Sequence, residues 1–237
     1  MLLALWSPKG GSGTSVVAAS VGLVLARGPA GGCRIADLDG DQAAIFGLAA
    51  EPELGLIDWL AAGPETPTEA LDRLAVEVAP GVALLALGGQ TLPRPPRITA
   101  ESGAALAVAL RDGPVPVVVD CADANEAASR AVAEVADVTV AVVRGCYLAL
   151  RRAVRAPVLR TTAGVVLVEE PGRSLSRREV SDVLGVPVLA RVPVRDQVFR
   201  AVDAGVLPAR LPDVLARAAS DLTGRVGLGP ARRGAAA

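Results

Sequence analysis

Short apolar runs alternate with helical patterns of apolar residues along most of the chain. The runs predict strands at Leu2–Ser7, Arg34–Asp37, Val82–Leu87, Pro116–Asp120, Val138–Val143, Gly164–Val168 and Val188–Val192. Apolar residues with helical spacing predict helices at Thr14–Arg27, Gly55–Ala62, Pro67–Val76, Thr99–Leu110, Glu126–Ala133, Tyr147–Arg155, Ser176–Leu184, Gln197–Asp203 and Pro212–Leu222. This alternation is typical of βαβ units and predicts an α/β fold, with a mainly parallel, twisted sheet and helices on both faces.

The same pattern predicts one domain over residues 1–226. The prolines of GGQTLPRPPR predict a loop over residues 88–97, and Ser174 or Ser176 is expected to cap the helix that follows the sixth strand. The segment GLGPARRGAAA has nothing to pack, so residues 227–237 are predicted to be a disordered tail.

Composition narrows the possible functions. A net charge of −1 and a pI near 5.6 argue against nucleic-acid binding through bulk charge. Apolar runs are well short of the ~20 residues of a membrane span. No basic segment precedes the first apolar residues, so we expect a cytoplasmic protein. The absence of histidine excludes His-based acid–base chemistry and most zinc sites. Cys33, Cys121 and Cys146 have no metal-binding spacing and are expected to be buried free thiols.

The stretch KGGSGTS, residues 9–15, lies between the first predicted strand and the first predicted helix. Gly10, Gly11 and Gly13 permit a turn that exposes backbone N–H groups at the positive end of the helix dipole, a geometry that binds phosphate without side chains. The hydroxyl of Ser15 stands where it can ligate Mg²⁺. Lys9 is the only lysine in the chain. A tight turn without a ligand is the alternative interpretation of this stretch alone.

Acidic residues follow two of the predicted strands. In RIADLDGDQ, Asp37 and Asp39 are two residues apart at a strand end, and in VPVVVDCAD another strand ends at Asp120. Ligands bind at the carboxyl ends of strands in open α/β sheets, and carboxylates there can hold Mg²⁺ through water and orient an attacking water. Each acid alone is also explained as a solvated turn residue.

In this order and spacing, the three elements resemble the deviant Walker A ATPases of the ParA/MinD superfamily, over roughly Met1 to Leu222. The loop is similar to the family's KGGxGK[ST], and DCAD is similar to its DCPP element. ADVTVAVVRGCYLALRRA and VPVRDQVFRAVDAGVLP resemble later family segments. The resemblance implies a P-loop NTPase-like fold that binds ATP or ADP with Mg²⁺. It implies nucleotide contacts from Lys9, Gly10, Gly11, Ser12, Gly13, Thr14 and Ser15.

The resemblance also implies roles for the acids and for the lysine. Ser15, Asp37 and Asp120 match the residues that organise Mg²⁺. Asp39 matches the acid that positions water for hydrolysis. Lys9 matches the lysine that reaches across a dimer to the nucleotide of the other subunit, so Asp39 and Lys9 are the catalytic candidates.

The chain departs from the family pattern at three positions. Thr14 replaces the lysine that contacts the β- and γ-phosphates, and losing such a charge-assisted contact costs about 1.5–3 kcal/mol. Ala122 replaces the proline of the DCPP element, and Val168 stands where the family often has an adenine-reading asparagine. These departures predict weakened nucleotide binding and slow or lost hydrolysis.

Degenerate loops of this kind resemble those of the CpaE/TadZ-like and septum-site-determining branch, whose members place machinery at a pole or septum. The resemblance implies a nucleotide-responsive protein that forms a nucleotide-dependent homodimer. Its implied partners belong to pilus, division or chromosome-partitioning machinery. An active ATPase of the same family and a nucleotide-free interaction scaffold are the alternatives.

Arginines gather around two predicted helices, at Arg144, Arg151, Arg152, Arg155, Arg173, Arg177 and Arg178. ParA relatives hold nonspecific DNA through basic surfaces, but the acidic pI favours a solvated face, so DNA is a possible but not a favoured partner. MinD relatives end in an amphipathic membrane helix. Residues 231–237 are too short and too weakly apolar for one, so no direct membrane insertion is expected.

Overall fold

The computed structural model describes residues 1–89 and 98–228. Within them, the strands are β1 (Leu2–Trp6), β2 (Cys33–Asp37), β3 (Ala75–Ala79), β4 (Val82–Leu85), β5 (Val117–Asp120), β6 (Val138–Arg144), β7 (Thr162–Glu169) and β8 (Val188–Pro193). The α-helices are α1 (Thr14–Ala26), α2 (Gln42–Ile45), α3 (Leu56–Ala62), α4 (Glu69–Leu74), α5 (Ala100–Arg111), α6 (Ala127–Val135), α7 (Tyr147–Arg155), α8 (Arg177–Leu184), α9 (Asp196–Asp203) and α10 (Asp213–Arg225). A 3₁₀ turn at Pro157–Thr161 precedes β7.

All the strands form one sheet in the order β3-β4-β2-β5-β1-β6-β7-β8. The β3–β4 pair is antiparallel and the other neighbours are parallel, which confirms the predicted α/β class. The first strand lies between β5 and β6, so chain connections diverge on either side of it. Such a switch point opens a crevice at the carboxyl end of β1.

Burial of β1 on both faces explains its central position. Its sequence LLALW is fully buried, with Leu2, Ala4 and Trp6 packing in one apolar cluster and Leu3 and Leu5 in the other. On the second face, α1 approaches the sheet closely at Gly22, where a Cβ would lie 2.5 Å from the side chain of Ile35. The lack of a side chain at Gly22 therefore lets α1 lie close against β2.

One predicted helix is partly wrong. The helix predicted over Pro67–Val76 ends at Leu74, and the next five residues form β3, which pairs antiparallel with β4. The missed signal is the hairpin: AVEVA and VALL flank Pro80 and Gly81, and Gly81 has a φ of 73° that suits the turn. The short helix α2 was not predicted either.

The cap of α8 and the burial of the cysteines were also predicted from the sequence. The cap of α8 is Ser176, whose hydroxyl accepts from Glu179 N while the Glu179 carboxylate accepts from Ser176 N. Cys33 and Cys121 are buried free thiols as predicted, but Cys146 is half-exposed because it lies at the start of α7.

Residues 90–97 and 229–237, which hold most of the predicted loop and tail, lie outside the described residues. No helix in the described part of the chain is long and apolar enough to cross a membrane.

Candidate nucleotide site

The turn between β1 and α1 is shaped by its own hydrogen bonds. The hydroxyls of Ser7 and Ser12 both donate to the carbonyl of Lys9, each at 2.9 Å. Gly11 and Gly13 have φ values of 71° and 89°, in the left-handed region that glycine adopts without strain. The turn therefore follows an anion-binding shape that depends on the glycines at these positions.

Among the described residues, no side chain caps the start of α1. Gly13 occupies the N-cap position, and the first turn of the helix contains no acidic residue. The first N–H groups of any helix lack intrahelical partners, and they carry the positive end of the dipole. The first turn of α1 and the loop before it can therefore bind an anion through the backbone.

Lys9 and Thr14 occupy different environments. Thr14 is buried and lines the cavity above the turn, where it offers a hydroxyl and no charge. Lys9 is half-exposed and does not line the cavity, and its ammonium donates to the carbonyl of Gly10 at 3.4 Å. The one lysine of the chain thus lies outside the cavity in this structure.

Two of the predicted acids meet at the centre of the sheet. Asp37 of β2 and Asp120 of β5 are direct register partners, and both are fully buried. The carboxylate of Asp37 accepts three backbone N–H groups, from Asp39, Gly40 and Gln42, at 2.8–2.9 Å. Asp37 therefore holds the β2–α2 turn in shape with both of its oxygens.

Burial dominates the electrostatics of these two acids. It raises the pKa of Asp37 to about 6, although the backbone N–H groups that it accepts favour the charged form. Burial, followed by the neighbouring charge of Asp37, raises the pKa of Asp120 to about 7. A cation near this pair would stabilise the charged forms of both carboxylates.

Gln42, which was not predicted from the sequence, links this acid pair to the first turn of α1. Its amide Nε2 donates to Asp120 Oδ2 at 2.9 Å and to the carbonyl of Ser15 at 3.0 Å. Its Oε1 is buried and has no hydrogen-bond partner among the described residues. Such an oxygen can accept from a water in the shell of an ion. The available sequence signal was a lone amide residue directly after the acidic stretch and before the apolar AAIF.

Asp39 and Ser15 face each other across the mouth of the site. The hydroxyl of Ser15 donates to Asp39 Oδ2 at 3.3 Å. Asp39 lines the cavity, and burial followed by the charge of Asp41 raises its pKa. The structure therefore brings Ser15, Asp37, Asp39 and Asp120 to one end of the sheet, beside the glycine-rich turn.

The cavity above the turn has a volume of about 730 Å³ and a strongly acidic lining. Its charged lining residues are Asp39, Asp41, Asp123, Glu126, Asp203 and Arg144. The one guanidinium is already paired, because Arg144 Nη1 lies 2.7 Å from Glu170 Oε1. The sequence did not predict four of the lining acids or the aromatic ring of Phe199, because loops and α9 bring them together from distant parts of the chain. These acids are Asp41, Asp123, Glu126 and Asp203.

The loop that follows β5 holds unusual backbone geometry. Ala122 and Ala124 have φ values of 53° and 51°, and they are the only non-glycine residues with positive φ in the described part of the chain. The carbonyl of Ala122 accepts from Ser7 N at 2.8 Å, which ties this loop to the glycine-rich turn. A proline ring, with φ near −65°, could not adopt this conformation at Ala122.

These residues fit a nucleotide only in company with a cation. The uncapped start of α1 and the left-handed glycines fit phosphate, and the orphaned oxygen of Gln42 fits a hydrated ion. Within residues 1–89 and 98–228, no group of three or more His, Cys, Asp or Glu side chains is arranged to hold a metal ion. Mg²⁺ commonly keeps several waters and takes further ligands from phosphates, so the Ser15 hydroxyl, nearby carboxylates and phosphate oxygens suffice as partners.

Solved structures show which known fold this chain adopts. The chain superposes on a ParA family ATPase of Chlorobium tepidum with a TM-score of 0.76 and 19% identity, over 92% of this chain and 95% of that one. For the MinD cell division protein of Aquifex aeolicus the TM-score is 0.73 and the identity 20%, over 95% and 96%. For the MinD of Pyrococcus horikoshii, solved with Mg-ADP, the values are 0.71 and 17%, over 95% of each chain. The fold is thus that of the ParA and MinD P-loop ATPases.

Among curated proteins, the chain is similar to an uncharacterised protein found in two strains of Mycobacterium tuberculosis. The two are 30% identical over 190 residues, which cover 73% of this chain and 54% of the mycobacterial protein. The chain therefore spans about half the length of the curated relatives that it matches. No protein-family model matches the chain.

Proposed function

We propose that this chain is a nucleotide-responsive organiser that uses the ParA/MinD fold as a switch, with weak or no ATP hydrolysis. The observation that carries the proposal is the pairing of an intact backbone cradle at the start of α1 with a neutral Thr14 where the phosphate-binding lysine is expected. The proposed ligand is ATP or ADP with Mg²⁺. Its cargo would be pilus, septum or chromosome-partitioning machinery, as in the CpaE/TadZ-like branch that the sequence resembles.

In the proposed site, backbone N–H groups from Gly10 to Ser15 bind the phosphates, with Ser12 holding the turn. Ser15 binds the ion, while Asp37 and Asp120 act through its water shell and Gln42 accepts from that shell. Asp39 orients water at the cavity mouth. Bound Mg²⁺ neutralises phosphate charge that the surrounding carboxylates would otherwise repel.

Turnover is expected to be slow because the cavity offers little positive charge. Thr14 cannot neutralise charge that develops on the transferred phosphoryl group, and Arg144 is held by Glu170. Lys9 lies outside the cavity, where it is free to contact a nucleotide held by a second copy of the chain. We therefore propose a nucleotide-dependent homodimer that depends on Lys9.

The same acidic lining favours a second candidate, a scaffold that has lost its nucleotide. Five carboxylates line the cavity against one paired guanidinium, which disfavours a polyphosphate unless Mg²⁺ accompanies it. The MinD protein of Aquifex aeolicus, which shares this fold, has a solved complex with MinC. Both candidates therefore place this chain among proteins that work through protein partners, in the cytoplasm or recruited from it to a pole or septum.

Calorimetry with Mg-ATP separates the two candidates. We expect the wild type to bind Mg-ATP and to dimerise in the same samples, and we expect Lys9→Ala to bind without dimerising. The matched control is Arg217→Ala, since Arg217 is an exposed cation on α10, outside the cavity lining. At a hundredfold excess over Kd, binding should add about 2.7 kcal/mol to the free energy of unfolding. No heat and no stabilisation at millimolar Mg-ATP would overturn the nucleotide switch and leave the scaffold.

A further inference from the structure

A second cavity lies between α7 and α8, separate from the nucleotide site. We call it the arginine groove; it has a volume of about 590 Å³ and includes the loop residues 172–175. Its larger apolar lining residues are Tyr147, Leu150, Val154, Leu175 and Val183. Such a volume is enough for several apolar side chains of a partner.

The apolar side chains of the arginine groove are unusually open to solvent. Tyr147 is 75% exposed, Val154 is 53% exposed and Val183 is 51% exposed. They stand on two neighbouring helices whose other faces pack on the core through residues such as Ala153 of α7 and Val180 of α8. Contiguous exposed apolar surface between helices is typical of a binding site.

Positive charge surrounds this apolar surface. Arg151 and Arg155 line the groove, and neither has an ion-pair partner within residues 1–89 and 98–228. Arg173 also lines the groove, and its Nε lies 3.0 Å from Glu170 Oε2. The carboxylate of Glu170 pairs with Arg144 as well. No carboxylate belongs to the described lining of the groove, so the groove attracts acidic groups.

We propose that the arginine groove binds an acidic amphipathic helix of a partner protein. A helix presents apolar side chains at i, i+3 or i+4 and i+7, which would enter the groove between α7 and α8. Its flanking Asp and Glu side chains would pair with Arg151 and Arg155, whose guanidinium groups bind carboxylates through two parallel hydrogen bonds. Tyrosine and arginine are also the residues that interfaces favour as anchors.

The shape of the groove favours a protein over the other acidic partners. Leu150, Leu175 and Val183 line a concave surface and offer no hydrogen bonds to a sugar–phosphate backbone. A flat lipid surface would contact the arginines without filling the space between the helices. Apolar side chains that project from a helix fill such a space and also present carboxylates at its rim.

The inference rests on the proposed function only in taking this chain to recruit a protein partner. Nothing in the arginine groove requires a nucleotide, so its test is made without one. If the wild type binds the peptides but not Mg-ATP, the proposed nucleotide switch is overturned and the groove proposal stands. If it binds Mg-ATP but not the peptides, the groove proposal is overturned and the nucleotide switch stands.

The test uses a phage-displayed library of random helical peptides of about four turns, selected on the full chain. We expect the enriched peptides to carry an apolar stripe flanked by Asp and Glu. Fluorescence anisotropy should show that Arg151→Glu with Arg155→Glu weakens these peptides about tenfold or more, because two attractions become repulsions. Val183→Ser should weaken them less, and the control Arg217→Glu should leave binding unchanged.

The proposal would be overturned if the selection enriched basic or uncharged peptides or enriched none. It would also be overturned if the double variant bound the acidic peptides as tightly as the wild type does. Vesicles of phosphatidylcholine with phosphatidylglycerol and a short DNA duplex are tested beside the peptides. Tighter binding to either one, lost in the same double variant, would reassign the groove to a membrane or to nucleic acid. Circular dichroism of each variant checks that the exposed substitutions leave the fold intact.

Discussion

The cavity above the glycine-rich turn and the arginine groove have linings of opposite charge, although both lie beside loops that follow parallel strands. The cavity has about 730 Å³ of space with five carboxylates in its lining, while the groove has about 590 Å³ with three arginines and an apolar floor. The lining of the cavity disfavours an anion unless a cation accompanies it, whereas the lining of the groove attracts acidic groups. Adjacent sites on one sheet edge can therefore respond to different ligands without competing for them.

The two regions also differ in how they are built into the fold. The cavity lies beside two fully buried acids, Asp37 and Asp120, and beside the loop after β5, where Ala122 and Ala124 have positive φ values. The groove is made from side chains on α7, on α8 and on the loop between β7 and α8, and no described non-glycine residue of its lining has a positive φ. Changes at the base of the cavity should therefore alter folding stability, while changes in the groove should alter binding alone.

The pH dependence of stability gives the largest test of this difference. Folded Asp120 has a pKa of about 7 against an ordinary value of 3.8, so the folded protein keeps a proton that the unfolded chain releases. Stability from this group is complete below about pH 4 and is lost as the pH rises through about 7, by ~4 kcal/mol. Asp37, with a pKa of about 6, adds a fall in the same direction.

Chemical denaturation at pH 5 and pH 8 measures this loss. Asp120→Asn should raise the stability at pH 8 and flatten the slope, and the control Asp112→Asn changes an exposed carboxylate outside the cavity. Mg²⁺ should recover part of the loss at pH 8 in the wild type. Equal stability of the wild type at both pH values would show that the buried acids are compensated.

Thr14→Lys tests whether the acidic cavity limits nucleotide affinity. A lysine here would restore a charge-assisted contact worth about 1.5–3 kcal/mol, so Mg-ATP should bind roughly ten- to a hundredfold more tightly. ATP turnover, measured by phosphate release, should rise with it. Peptide binding in the arginine groove should not change. If turnover is already fast in the wild type and unchanged in the variant, the degenerate-site hypothesis fails.

Much of the fold could be predicted because its signals are local. The apolar runs of β1 and β5 and the helical spacing in α1 are visible in the sequence. Because Asp37 and Asp120 directly follow apolar runs, their positions at the ends of β2 and β5 could also be predicted. The helix assigned over Pro67–Val76 was partly wrong because AVEVA has a helix-compatible composition. Pairing with β4 across a tight turn decides its conformation.

The chemistry of the site was predicted less completely, because its lining depends on distant contacts. The amide of Gln42 donates a hydrogen bond to Asp120, which is 78 positions away in the chain, and no local sequence pattern predicts that contact. Asp203 reaches the cavity from α9, and Asp123 from the loop after β5. The roles assigned to Lys9, Ser15, Asp39 and the other site residues stay predictions until a nucleotide is tested.

Ala122→Gly tests whether the left-handed backbone at this lining residue of the cavity is strained. Left-handed backbone costs about 1 kcal/mol or more for a residue with a Cβ, so this substitution should raise the free energy of unfolding by about 1 kcal/mol. The matched control is Ala104→Gly within α5, which should lower it by about 0.5–1 kcal/mol. Urea denaturation of both variants compares them, and destabilisation by Ala122→Gly would show that the loop holds no strain.

The smallest effect concerns Glu170, which pairs with arginines of both regions. It pairs with Arg144 in the cavity lining and with Arg173 in the groove lining. Glu170→Gln should release both guanidinium groups, and partly exposed ion pairs are worth at most about 1 kcal/mol. We therefore expect Mg-ATP and the selected acidic peptide each to bind a few fold more tightly. Glu169→Gln is the control, because Glu169 pairs with Arg191 outside both linings. A gain at one site without the other would show that Glu170 serves that region alone.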